Sequence, residues 1–111
     1  MQPQDVRALA LMLPEVVEGA HKGNPDFRLG GRIFATLWVD EDRLVVRLSA
    51  EDLSMLDEAV RDLLEPVPGA WGRRGWASIN LWEADEEIVR AILLAGWRRL
   101  APALLDEAPA P

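Results

Sequence analysis

Two successive glycines, Gly30-Gly31, separate two runs that read as β-strands, and this pair constrains the fold more than any other feature of the chain. A two-residue hairpin turn needs positive φ angles, which glycine reaches without steric cost. The flanking runs, Asp26–Leu29 and Arg32–Val39, therefore pair as antiparallel neighbours. Strict alternation along the second puts Ile33, Ala35, Leu37 and Val39 on one face, with Phe34, Thr36 and Trp38 on the other. Asp40-Glu41-Asp42 turns the chain into a third strand, Arg43–Leu48, and Gly75-Trp76 opens a fourth, Trp76–Trp82.

Helical spacing accounts for much of the rest. Val6, Leu9, Ala10 and Leu13 form one apolar stripe, and Pro14 ends that helix because it disfavours helical geometry at Leu13. Glu15 to Asn24 reads as a polar loop. Ser49 caps a second helix with the stripe Leu53, Leu56, Val60, Leu63 and Leu64. Glu65 to Gly75 holds two prolines and three glycines and reads as a loop. Asp85 caps a third helix carrying Ile88, Val89, Ile92, Leu93, Gly96, Trp97 and Leu100. Hairpin-linked strands covered by amphipathic helices predict a two-layer α+β sandwich, an antiparallel sheet with helices packed on one face. We expect a single domain over residues 1–102 and an Ala/Pro-rich C-terminal tail over 103–111.

Composition narrows the function classes. With no cysteine among 111 residues, disulfides, thiolate metal sites and cysteine nucleophiles are excluded. No apolar run is long enough to cross a bilayer, and Asp5 and Arg7 interrupt any signal-peptide layout, so a cytoplasmic location is expected. The net charge of −7, from 19 acidic against 12 basic residues, opposes nucleic acid and anionic membrane at long range.

The order and spacing of Leu13-Pro14, Gly23-x-Pro25-x-Phe27, Gly31-Arg32-Ile33-Phe34-Ala35 and Gly75-Trp76 resemble the MmcQ/YjbR family of small bacterial proteins. The resemblance runs from the first helix to the third. It implies a frataxin-like (CyaY/YjbR-like) α+β fold and, because that architecture is described as a double wing, a DNA-binding role. Lys22 and Ala70-Trp71 stand where many family members carry an aromatic residue and a Tyr-His pair, so no role of those residues is carried over.

Two candidate surfaces follow. For DNA, Arg73 and Arg74 offer phosphate contacts beside Trp71, which can stack on a base, while Arg28 and Arg32 flank the first hairpin turn. For a protein partner, a small ligand or self-association, Phe34, Trp38, Trp76 and Trp82, with Val45, form an aromatic outer face of the sheet. That face is either open or covered by the loops and by Leu104 and Leu105. The acidic clusters at residues 40–42, 51–52 and 85–87 read as a turn and as helix N-terminal charges, without calcium-loop spacing. His21 stands alone, and no serine sits in a nucleophile elbow. We therefore expect no enzyme activity, no metal and no cofactor.

Overall fold

A computed structural model of the chain describes residues 1–106, the last four by their backbone alone. Helix α1 (Pro3–Leu11) precedes strands β1 (Val17–His21), β2 (Asn24–Leu29), β3 (Arg32–Trp38) and β4 (Arg43–Arg47). Helices α2 (Ala50–Met55) and α3 (Glu58–Arg61) lead to β5 (Glu65–Pro66), the one-turn α4 (Ala70–Arg73), β6 (Trp76–Asn80) and the long α5 (Glu86–Asp106). All strands join one antiparallel sheet in the order β1-β2-β3-β4-β6-β5. The α+β sandwich is as expected.

The core lies between the sheet and the helices. Phe27, Phe34, Leu37, Leu44 and Ile79 come from the strands, Val6 and Leu9 from α1, and Val89, Ile92 and Leu93 from α5. Each such fully buried side chain stabilises the fold by about 1.5–3 kcal/mol in transfer terms. The glycine at position 96 lets α5 approach the sheet. A Cβ there would stand 2.5 Å from Val46 Cγ1 and 3.4 Å from Phe34 Cδ2. The expected caps are present, since Ser49 Oγ accepts the Asp52 amide at 3.0 Å and Asp85 Oδ1 accepts that of Ile88 at 2.9 Å.

Several local expectations are corrected. The polar loop 15–24 holds β1, which pairs with β2 through a hairpin at Lys22-Gly23, where φ is +52° and +82°. Two consecutive positive φ values suit the strand twist, and lysine hides this turn from a search for Asn-Gly or Gly-Gly. The second helix breaks at Leu56, whose ψ of 149° is extended. Leu53 is exposed as a result, leaving Val60 as the buried member of that stripe. The segment 65–75 contains β5 and α4 rather than loop alone. Helix α5 passes Pro102 and reaches Asp106, because a proline removes one intrahelical hydrogen bond without ending every helix. Residues 107–111 and the side chains of Leu104 and Leu105 lie outside the described residues.

The largest correction concerns Phe34. Phe27 pairs with Ala35 but Arg28 pairs with Ile33, so Phe34 is an extra residue on β3, opposite no partner. Such a bulge sets two neighbouring side chains of one strand on the same face. Ile33 therefore turns outward, and Phe34 joins Ala35 and Leu37 in the main core with no exposed surface. Phe34 is not part of the outer face.

Candidate functional site

The outer face of the sheet is roofed rather than bare. Strand β5 pairs with β6, and the chain then crosses back so that α4 lies over Trp76. Gly72 permits this crossing, since any Cβ at that position would strike the Val67 carbonyl. Val45, Val67 and Trp76 form a second, small core under this roof, with Ile33, Trp38 and Trp71 packed against it. The Trp71 and Trp76 rings lie 4.8 Å apart at 34°, within the range of favourable tilted aromatic pairs.

Beside this small core the roof stops short and leaves a cavity of about 200 Å³, lined by His21, Lys22, Asn24, Asp26, Ile33, Thr36, Trp38 and Trp71. The β1–β2 hairpin supplies the rim, β2 and β3 the floor, and α4 one wall. Trp38, Trp71 and Ile33 make the apolar surface. Asp26 and Thr36 make the polar one, and both are buried.

Asp26 is the least ordinary member, a carboxylate with no exposed surface on a central part of the sheet. Arg28, two residues on and hence on the same face, answers it. Arg28 Nε donates to Asp26 Oδ1 at 2.8 Å and its Nη2 donates to Oδ2 at 3.1 Å. That hydrogen bonding, and secondly the carboxylate's charge, raise the Arg28 guanidinium above its ordinary value, with burial pulling slightly the other way. Gly19 of β1, opposite Asp26, makes room for the pair, because a Cβ there would fall 2.7 Å from Asp26 Oδ1. Thr36 is satisfied as well, its Oγ1 donating to the Pro25 carbonyl at 2.9 Å.

The residues expected from sequence are distributed unevenly over this geometry. Trp38 and Trp71 face the cavity, and Trp76 lies buried behind Trp71. Trp82 is 77% exposed beyond the end of β6, its indole N–H donating to Asp42 Oδ2 at 3.3 Å, and it does not reach the cavity. Arg28 belongs to the ion pair. Arg32, paired across the ladder with the core residue Leu29, projects on the helix side of the sheet, so Arg28 and Arg32 do not form one basic point. Arg73 and Arg74 are exposed at the end of α4, and the Arg74 carbonyl accepts Arg47 Nε at 2.8 Å.

The sequence does not single out Asp26, Thr36 or Asn24 as site residues, and His21, which stands alone in the sequence, lies at the cavity rim. The signal for Asp26 was available: an acid and an arginine at i and i+2 in a strand share a face and pair there. No group of three or more His, Cys, Asp or Glu side chains placed to hold a metal ion occurs among the described residues.

Comparison with known proteins adds to this geometry. A family model described as YjbR matches residues 11–99. No curated protein matches the chain. Among solved structures, the crystal structure of Deinococcus radiodurans protein DR2400, with a domain described as DUF419, superposes with a TM-score of 0.71 at 18% identity. The match covers 90% of this chain and 78% of that one, and at this identity it speaks for the fold.

Proposed function

The chain belongs to the YjbR family, and from that premise we propose that it is a non-enzymatic, cytoplasmic binding protein whose ligand is a small molecule held in the outer-face cavity. The carrying observation is the cavity itself, with tryptophan walls and a buried carboxylate at its floor. Binding sites combine mostly apolar walls with a few fixed polar groups, and Asp26 and Thr36, each held by a hydrogen bond, are lining polar residues whose positions are already set. About 200 Å³ is below the ~300–1,000 Å³ of drug-sized sites, so the ligand is compact. Its flat apolar part lies against Trp38 and Trp71, and its polar part meets the rim residues His21, Lys22 and Asn24. No described helix is long and apolar enough to cross a membrane.

Duplex DNA through Arg28, Arg32, Trp71, Arg73 and Arg74 has less support. Arg28 is neutralised, Arg32 lies across the sheet from it, Trp71 is a cavity wall, and the net charge is −7. We expect no measurable duplex binding at physiological salt by fluorescence anisotropy, because too few arginines share one face to neutralise several phosphates. Salt-dependent binding lost in Arg73→Ala/Arg74→Ala would restore the DNA reading.

A fragment screen read by the tryptophan indole N–H signals tests the cavity. Bound fragments are expected to move the Trp38 and Trp71 signals and leave Trp82 unmoved. Trp71→Ala is expected to weaken such fragments by about tenfold, the loss of roughly one aromatic contact. Fragments that move only Trp82, or bind equally well to Trp71→Ala, would sink the proposal.

A further inference from the structure

Where β3 turns into β4 and β6 runs out, the sheet ends in an aromatic side chain that belongs to neither core. No large apolar side chain among the described residues is more exposed than Trp82. Single exposed apolar residues are ordinary on a protein surface, but this one is held in place. Its amide donates to Asn80 Oδ1 at 2.9 Å and its indole N–H to Asp42 Oδ2 at 3.3 Å. The Leu81 amide donates to the Asp42 carbonyl at 2.9 Å, which ties the two turns together. Asp42 also closes the turn that leaves β3, its amide donating to the Val39 carbonyl at 3.2 Å, and Val39 is exposed as well. A hollow of about 180 Å³ between Asn24, Trp38, Asp40 and Glu41 adjoins the same turn.

The charge around Trp82 is one-sided. The acidic runs 40–42 and 83–87 flank it in these two turns. Among the described residues, Glu86 pairs with Arg90 at 3.4 Å, and no ion pair involves the other carboxylates of either run. Nearby cations are engaged elsewhere. The Met1 ammonium donates to the carbonyls of Leu81 at 2.6 Å and Ala84 at 3.3 Å, and Arg43 pairs with Glu65 at 3.1 Å. Lys22, in the hairpin beside Asn24, is one charge against the two runs, while Arg32 and Arg47 stand at the far ends of β3 and β4. No three of these carboxylates are gathered to hold a metal ion.

Opposite charge draws a partner in, and an ordered aromatic ring anchors it. We propose that Trp82 and the acidic turns around it form a docking surface for a basic protein segment, one rich in arginine or lysine. A cationic head stacks on the free face of the indole, its alkyl stem covers the ring, and further cations of the segment meet the acidic runs. The ring is positioned before the partner arrives, so little side-chain freedom is lost on docking. Nucleic acid and anionic membrane are repelled by the same charges.

The surface lies outside the outer-face cavity and is tested apart from it. A nonapeptide of arginine, leucine and serine is added to the full chain, with a glutamate-for-arginine copy and spermine as comparisons. The Trp82 indole N–H signal is expected to move saturably with the basic peptide, leaving Trp71 and Trp97 still, and the acidic copy is expected to have no effect. Trp82→Ala is expected to weaken the peptide by about tenfold with little change in the thermal midpoint, the loss of one anchor side chain at an exposed position. Glu83→Gln is expected to flatten the salt dependence of binding while keeping the Trp82 shift. Equal affinity for Trp82→Ala, binding of the acidic copy, or an equal Trp82 shift with spermine would overturn the proposal. So would a Trp82 signal that moves with protein concentration alone, which would assign this surface to a second copy of the chain.

Discussion

Phe34→Ala is expected to cost about 3–5 kcal/mol of stability, the range for deleting a buried phenylalanine side chain. The ring has no exposed surface and lies against α5 beside Gly96, where helix and sheet are closest, so neighbouring backbone cannot easily collapse into the void. Against a typical total of roughly 5–15 kcal/mol, that removes a large share of the folding free energy. Urea and thermal denaturation measure it, and the midpoint temperature is expected to fall by at least about 10 °C. Trp82→Ala, at a site 77% exposed, is the contrast, with an expected change within about 0.5 kcal/mol. The comparison tests the bulge directly. Under strict alternation Phe34 would lie on the outer face, beyond the reach of Gly96, and its truncation would leave the main core intact.

Gly75→Ala is expected to be nearly as damaging, by about 3 kcal/mol or more. Its φ of +97° is costly for any residue with a Cβ, and the added methyl would run into the Leu48 carbonyl, which is backbone and has no rotamer to retreat to. The Leu48 amide also donates to the Gly75 carbonyl at 2.9 Å, so movement away from the clash breaks a hydrogen bond. Gly31→Ala separates these effects. Its φ is +80° but a Cβ there meets nothing within 4 Å, so strain alone acts, at about 1 kcal/mol. Because Gly75 leads directly into Trp76, we also expect Gly75→Ala to disturb the Trp71–Trp76 pair and weaken fragment binding in the cavity. Equal losses for Gly75→Ala and Gly31→Ala would show that the close approach to Leu48 carries no cost.

How far the chain could be read in advance depended on whether a feature was local. The Gly30-Gly31 turn, the strands on either side, the Ser49 and Asp85 caps and the stripe of α5 are written in neighbouring residues and appear where expected. Strand β1 was hidden because an edge strand needs only one neighbour, and its Val-Glu-Gly-Ala-His run carries little hydrophobic alternation. The candidate site was legible in part. Trp38 and Trp71 were named from their type, but Asp26 and Thr36 become cavity residues only once β1, β2 and α4 are assembled around them.

By itself the sequence determined the α+β class, the central hairpin and the apolar residues that drive helices onto a sheet. These follow from turn chemistry and periodicity, which act over a few residues. Tertiary structure decided the rest. One unpaired residue on β3 sends Phe34 into the core and Ile33 outward, a choice made by register across the sheet. The fold of residues 65–75 over the outer face turns an exposed aromatic patch into a small second core with a cavity beside it. Contacts between distant segments depend on which surfaces are buried together, and that is settled only when the whole core closes.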